Sequence, residues 1–190
     1  MLKRLFDISS SLLVLLVLSP VFFLIAVLIS LDSRGGVFYR QERIGKGGKK
    51  FMLYKFRTMR QGADKGSLIT IGKDRRITRI GQFLRKYKLD ELPQLINILQ
   101  NDMSVVGPRP EVEKYVLLYN QEQRKVLSVK PGLTDLASLE YINENEVLGK
   151  AENPEKVYIE EIMPRKLELN LIYIEKQSLL FDLRIIFRTI

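Results

Sequence analysis

From Ile8 to Leu31 the chain carries no charged residue, and Asp7 and Asp32 stand at the two edges of the run ISSSLLVLLVLSPVFFLIAVLISL. A stretch longer than the ~18–20 apolar residues that cross a bilayer has few homes in water, so it reads as a membrane segment. It exceeds the roughly 7–15-residue apolar core of a signal peptide, and no small-x-small cleavage site follows it. Two geometries fit. Pro20 sits mid-run, where it lacks an amide hydrogen and collides with the preceding turn, and the Ser19 hydroxyl can re-satisfy a freed carbonyl. A kinked helix would span the membrane, whereas a helix broken at Ser19-Pro20 would dip in and return. Lys3 and Arg4 precede the run, while Arg34, Arg40, Arg43, Lys46, Lys49 and Lys50 follow it. Positive residues mark the cytoplasmic side, so basic flanks at both ends favour the re-entrant form.

The remainder, residues 33–190, shows no repeat, low-complexity tract or linker, and reads as one compact cytosolic, membrane-associated domain behind an anchor of residues 1–32. Gly and basic residues make 33–50 extended and turn-containing, and Phe51 to Phe56 has a strand-like aromatic and apolar pattern. Ile80, Phe83 and Leu84 recur at helical spacing within Thr78–Tyr87, with Arg79, Arg85 and Lys86 between them. Such a basic amphipathic helix suits an anionic headgroup layer or an ordinary protein surface. Helices are also expected over 93–99, 111–127 and 154–177, the last interrupted near Pro164. The closing segment 179–190 sets Phe181, Ile185 and Phe187 against Asp182, Arg184 and Arg188. Val105–Pro110 reads as a rigid loop and Lys130-Pro131-Gly132 as a turn. The fold class is therefore expected to be mainly α with a short β element, α+β: a membrane helix-break-helix, re-entrant in the favoured geometry, amphipathic helices suited to an interface, and one compact domain.

Composition narrows the chemistry. Lys plus Arg is 31 against 22 for Asp plus Glu, a net charge of +9 that favours phosphates, anionic lipid or nucleic acid as partners. Cys and His are both 0, which excludes disulfides, thiol catalysis and imidazole chemistry. Any acid–base or metal chemistry must then come from Asp, Glu, Lys, Tyr or backbone, which suits a hard cation such as Mg²⁺. Asp90 and Glu91 lie adjacent just ahead of a helix, a place where carboxylates commonly cap. Around them in the sequence stand Lys55, Arg57, Arg75, Arg76, Arg79, Arg85 and Arg109. Adjacent carboxylates among guanidinium groups suit attack on a phosphate ester or anhydride, because the cations screen repulsion between nucleophile and phosphoryl group.

KRLFDISSS, the SP within the apolar run, FYRQERIGKGGKKFMLYKFRTM, DRRITRIGQFLRKYKLDELPQLINIL, NDMSVVGPRPE, VKPGLT and SLLFDLRIIFRTI follow in that order. In these blocks the sequence resembles the bacterial sugar transferases known as monotopic phosphoglycosyl transferases, over nearly the whole chain. The resemblance implies transfer of a phospho-sugar from a UDP-sugar to a polyprenol phosphate, such as undecaprenyl phosphate, with release of UMP. It implies Mg²⁺ and a ping-pong route through a covalent aspartyl-phosphosugar, at the cytoplasmic face of the bacterial inner membrane. Carried onto this chain, Asp90 is the nucleophile and Glu91 its catalytic, metal-associated partner. Lys55, Arg85 and Arg109 become substrate-binding cations, Arg57 of the same cation inventory is kept beside them as a substrate-binding candidate, and Ser19-Pro20 matches the helix-breaking dipeptide of a re-entrant anchor.

Three positions depart from the commonest family pattern: Asp135 replaces a glycine, a glutamine is replaced near Ser138, and Asn170 stands where many members carry an aspartate. Asn170 keeps a place among the substrate-binding candidates, with a hydrogen bond but no charge. The sugar is not legible, and its selection is expected in loops 61–74 and 133–150. A homo-oligomer is compatible with the reading; a nucleic-acid partner is not expected. Two rival readings are a membrane-tethered nucleic-acid binder, for which a recognisable motif is missing, and a non-catalytic scaffold for polysaccharide assembly. Both predict binding that ignores substitution of Asp90.

Overall fold

The computed structural model describes residues 2–63, 74–141 and 144–189. Most of the loop 61–74 and part of 133–150, where sugar selection is expected, lie outside the described residues.

The apolar run forms two helices, α1 (Leu2–Val17) and α2 (Ser19–Asp32), bent by 62° at Leu18. Pro20 has no N–H for the carbonyl of Leu16, and the Ser19 hydroxyl donates to that oxygen at 2.8 Å. The serine thus supplies the bond the proline removes. No single described helix is long and apolar enough to cross a membrane, whereas the two arms together meet that length and composition. The pattern on α1 is inverted relative to a helix in water. Asp7 and Ser11 are buried against protein, while Leu5, Leu12, Leu13, Leu16 and Val17 point outward; Phe23, Leu24 and Leu31 do the same on α2. An apolar face of this extent belongs against lipid or another apolar surface.

Each arm packs on a different part of the domain. Ile25 and Ile29 of α2, with Phe22, meet Phe56, Ile80, Leu84 and Leu89. Asp32 also accepts a hydrogen bond from the Ile80 N–H at 3.0 Å, at the start of α3 (Arg79–Lys86). Val14 and Leu15 of α1 join Leu95 and Ile98 of α4 (Gln94–Leu99), together with Leu53 and Met103.

Strands β1 (Phe38–Ile44) and β2 (Lys50–Phe56) pair as an antiparallel hairpin with Phe38 opposite Phe56 and Tyr39 opposite Lys55. The hairpin is fixed to α4 by Asn97, which is fully buried, accepts from the Tyr54 N–H at 3.0 Å and donates to the Met52 carbonyl at 2.8 Å. Asn97→Ala strands one backbone donor and one acceptor in the core. At about 1–3 kcal/mol for each unsatisfied group, it is expected to lower the thermal midpoint by several degrees in a detergent-solubilised melt.

A second, parallel pair joins β3 (Ser104–Val106) to β4 (Gly132–Thr134). Gly132 is required there: a Cβ would sit 2.1 Å from the Gly107 nitrogen. Short helices follow: α5 (Glu113–Val116), α6 (Leu136–Glu140), α7 (Glu144–Lys150) and α8 (Pro154–Val157). After a π-helical turn at Tyr158–Ile162 come α9 (Met163–Lys176) and α10 (Leu179–Thr189). The largest core gathers Ile44, Val112, Tyr115, Val116, Tyr119, Val126, Tyr158, Ile162, Met163 and Leu167.

Three expectations need correction. The helix expected over 111–127 is not continuous. It ends at Val116, and a separate 3₁₀ segment, Gln123–Ser128, follows a reciprocal cap in which the Asn120 side chain accepts from the Gln123 N–H while the Gln123 side chain accepts from the Asn120 N–H. The loop at 105–110 and the turn at 130–132 instead contribute β3 and β4, which neither segment is long enough to announce. On α10 the expected split holds at Ile185, which is buried, and at Arg184 and Arg188, which are exposed, but it fails at Asp182, which is buried, and at Phe187, which is 77% exposed. Helix α3 fits its expectation: Thr78 caps it, accepting from the Gly81 N–H at 3.0 Å, and Phe83 and Tyr87 stay exposed.

Candidate active site

The site forms where α3 hands over to α4. Lys88 adopts the left-handed region at φ 54°, ending α3 and turning the chain into a 3₁₀ turn, Leu89–Glu91. That turn buries Asp90 to 8% exposure and sends Glu91 toward two cations from other elements. Arg109, just past β3, grips Glu91 in a fork, Nη2 to Oε1 at 2.5 Å and Nη1 to Oε2 at 3.2 Å. Lys55 of β2 donates to the same Oε1 at 2.8 Å.

The two carboxylates are driven apart electrostatically. Burial raises the Asp90 carboxyl above its ordinary range; Lys55 and Arg85 offset part of that, and the neighbouring Glu91 adds to it. Burial would raise Glu91 as well, but the charges and hydrogen bonds of Arg109 and Lys55 outweigh it and hold Glu91 well below the usual carboxylate range. Burial lowers the Lys55 ammonium, against the pull of Glu91. Glu91 is thus a fixed, neutralised anion, and Asp90 an under-compensated one, the more reactive condition for a nucleophile.

Arg85 lies within electrostatic reach of Asp90 and is steadied by its Nε, which donates to the Thr58 hydroxyl at 2.8 Å. That approach depends on Gly81, where a Cβ would meet the Thr58 carbonyl oxygen at 2.1 Å. Arg57 is placed differently: its terminal nitrogens donate to the carbonyls of Arg34 at 2.5 Å and Ser33 at 2.7 Å, closing the end of α2. It takes no part in the Glu91 cluster. Asn170, 4% exposed, lines a cavity with Arg109, Pro110, Tyr158 and Lys166, and its Oδ1 has no hydrogen-bond partner among the described residues. The cavity and the carboxylate pair therefore share Arg109. Ser19 and Pro20 are at the bend of the apolar helices, as above.

The departures at Asp135 and Ser138 belong together. Asp135 is buried and caps α6, accepting from the Ser138 N–H at 2.8 Å and from its hydroxyl at 2.5 Å. Its charge also bears on Arg109.

Among the described residues no group of three or more carboxylates gathers around one point. The donor set still fits a magnesium ion, which binds through one or two carboxylates and fills its shell with water and substrate phosphate. Glu91 Oε2 accepts only the longer bond of the Arg109 fork, and Asp90 is adjacent.

Residues that sequence reasoning missed are Thr58, which holds Arg85, and three on α1. Lys3, Arg4 and Asp7 read as flanking charges, yet each bonds the domain. Lys3 reaches the Val106 carbonyl at 3.0 Å, Arg4 the Ile98 carbonyl at 2.7 Å, and Asp7 the Ser104 hydroxyl at 2.8 Å. The i, i+4 spacing of Lys3 and Asp7 was the available signal.

The family described as bacterial sugar transferase matches residues 1–190. The chain is 38% identical over 198 residues to UDP-glucose:undecaprenyl-phosphate glucose-1-phosphate transferase of Escherichia coli K12, covering 100% of this chain and 39% of that protein. It is 40% identical over 201 residues to the exopolysaccharide production protein PSS of Rhizobium leguminosarum bv. phaseoli, covering 100% of this chain and 93% of that one. With the UDP-N-acetylgalactosamine-undecaprenyl-phosphate N-acetylgalactosaminephosphotransferase of Aeromonas hydrophila it shares 37% over 194 residues, covering 99% of this chain and 42% of that protein. The chain thus spans about two fifths of the Escherichia and Aeromonas relatives. A match running the whole length of the chain, through the apolar helix pair, the carboxylate turn and the Arg109 loop alike, means that it belongs to the bacterial sugar transferase family.

Proposed function

We propose that this chain transfers a sugar phosphate from a UDP-sugar to a polyprenol phosphate, with undecaprenyl phosphate the acceptor suggested by the names of its relatives. One observation carries the reading: a buried Asp90 beside a Glu91 already paired with Arg109 and Lys55. In the first half-reaction an Asp90 carboxylate oxygen attacks the sugar-bearing phosphorus. The bond from that phosphorus to the bridging oxygen breaks, and UMP leaves with the electron pair. In the second, a phosphate oxygen of the polyprenol phosphate attacks the same phosphorus, the bond to Asp90 breaks, and the carboxylate is restored beside a polyprenyl diphosphate sugar.

Arg85 and Arg109 bind substrate phosphates, and Lys55 holds Glu91 while facing the same space. Glu91, with Asp90 adjacent, would hold Mg²⁺, which when bound supplies charge neutralisation on the phosphates. Arg57 supports the site from below by closing α2. Asn170 offers its unpaired Oδ1 to a hydrogen-bond donor on the nucleotide sugar.

The re-entrant anchor belongs to the same proposal, seated in the cytoplasmic leaflet of the bacterial inner membrane. It is supported by the 62° bend, the outward apolar side chains and the bonds from Lys3, Arg4 and Asp7 to the domain. Those bonds keep both ends of the apolar run on one side. Asp90 then lies between the helices on which the two arms pack, close to where a lipid phosphate emerges while its tail stays in the bilayer, so proximity is obtained without extracting the lipid.

The test is a panel of UDP-sugars with undecaprenyl phosphate, following UMP release. The relatives' names include glucose and N-acetylgalactosamine, so both belong in the panel. Turnover with one sugar, lost in excess EDTA and restored by Mg²⁺, is expected. Full activity in excess EDTA removes the metal from the proposal, and inactivity across the panel removes the reaction. Salt-dependent binding of nucleic acid with no turnover would instead favour the rival reading.

A further inference from the structure

Strand β3 has two neighbours of different kinds. One side pairs with β4, and on the other the groups of β3 are met by side chains of α1. Asp7, 3% exposed, accepts the Val105 N–H at 3.0 Å through Oδ1 and the Ser104 hydroxyl at 2.8 Å through Oδ2. One turn back on the same face, Lys3 donates to the Val106 carbonyl at 3.0 Å and to Asp182 at 2.5 Å. Asp182 is 1% exposed and is also held by the Tyr173 hydroxyl at 2.7 Å. Arg4 donates to the carbonyls of Ile98 at 2.7 Å and Leu99 at 3.3 Å, the last residues of α4.

These contacts lead to the site by two short paths. Arg109 follows β3 by three residues across the Gly107-Pro108 step, and Glu91 lies three residues before the start of α4. The two partners of the fork are therefore carried by the two segments that the first turns of α1 grip. A role limited to marking the cytoplasmic side would need only charge on Lys3 and Arg4, and would not need a buried carboxylate that accepts two bonds from β3.

We infer that Asp7, assisted by Lys3, is a positioning residue of the transfer site: by holding β3 it sets where Arg109 meets Glu91. The inference rests on the proposed transferase reading for its kinetic consequence, and on geometry alone for its structural one. It makes the seat of the anchor and the shape of the phosphate site one mechanical unit.

The experiment compares Asp7→Ala with Asp7→Asn in the full chain reconstituted in lipid nanodiscs. Asparagine removes the charge but keeps an acceptor for the Val105 N–H, and its amide can donate to the Ser104 hydroxyl. Asp7→Ala is expected to lower kcat by about 10- to 100-fold, the effect of a small misplacement at a reacting centre. The KM for polyprenol phosphate should stay within about twofold, since access to the lipid is not altered. Asp7→Asn should recover most of the rate. Hydrogen exchange should quicken over residues 104–109 in Asp7→Ala, return toward the parent in Asp7→Asn, and leave the hairpin 38–56 unchanged.

A parent rate in Asp7→Ala overturns the inference. So does an equal loss in both variants, which assigns the effect to charge, or exchange that quickens uniformly, which assigns it to general stability. If Asp7→Ala does not fold, Ser104→Ala removes one of the two bonds and should give a smaller change in the same direction; no change in kcat or exchange then rejects the idea. A parent chain that turns over none of the UDP-sugars rejects the transferase reading instead, and the exchange pattern, which needs no substrate, then decides whether Asp7 holds β3.

Discussion

Asp90→Asn is expected to abolish turnover and the covalent intermediate together, by at least about 10³-fold, while the protein stays folded. The amide is nearly isosteric but does not attack phosphorus. Incubation with UDP-sugar labelled at the sugar-bearing phosphorus should leave label on the parent protein and none on the variant; label retained by Asp90→Asn moves the nucleophile elsewhere. The same substitution has a thermodynamic signature that separates the two carboxylates. Burial raises the Asp90 pKa in the folded state, so its ionised form works against folding at neutral pH. Asp90→Asn should therefore melt no lower than the parent at pH 7, and the difference should shrink as acid protonates Asp90 in the parent. Activity should fall over that same acid limb, beginning above the ordinary carboxylate range. Glu91 behaves oppositely. Its folded pKa is depressed by Arg109 and Lys55 against the effect of burial, so its contribution to stability is present above the unfolded value and is lost as pH falls through the folded one. Glu91→Gln leaves Arg109 and Lys55 without their anion and should cost about 3–5 kcal/mol, seen as a lower melting temperature at pH 7 that converges on the parent in acid. Identical melting behaviour of the two variants would contradict the division of labour between a reactive and a neutralised carboxylate.

How much of this was legible beforehand follows from the reach of each signal. The apolar run, its break at Ser19-Pro20 and the helix within Thr78–Tyr87 depend on residues close in sequence, and the bend and that helix are found where those residues stand. The carboxylate pair and its cations were nameable, but only the fold decides which cations meet it. Lys55 and Arg109 converge on Glu91 from different segments, whereas Arg57, two residues beyond Lys55, turns to the end of α2. Strand alternation alone would put both side chains on one face, but β2 ends at Phe56 and the carbonyls that capture Arg57 are distant in sequence. The strands β3 and β4 are too short to carry a period, and they exist because residues 104–106 and 132–134 meet across the fold. Asp7 was hidden by a different effect. A carboxylate at the edge of a membrane run reads as the boundary of the run, and its buried partners on β3 are far along the chain.

A cysteine at Leu2 or at Gln121, both exposed, is expected to resist a membrane-impermeant maleimide in intact cells and to react after lysis. The native chain has no cysteine, so each label site is unambiguous. Labelling at Leu2 but not Gln121 in intact cells would establish a spanning helix and remove the re-entrant anchor. Replacing Pro20 by leucine, with Ser19→Ala, permits one continuous helix of about 24 uncharged residues, which at ~1.5 Å per residue reaches ~36 Å, enough for a ~30 Å core. Length alone therefore favours conversion to a spanning form. Three things oppose it: a basic flank would have to cross, Asp7 would leave Ser104 and Val105, and Lys3 and Arg4 would abandon the carbonyls of Val106, Ile98 and Leu99. The contacts of Asp7 and Lys3 are largely buried, so each broken bond strands a polar group. The straightened variant should accordingly label at Leu2 in only a minority of molecules, and adding Asp7→Ala should enlarge that fraction. A complete switch on straightening alone would mean that the docking of α1 contributes little to the topology, and that the break at Ser19-Pro20 governs it unaided.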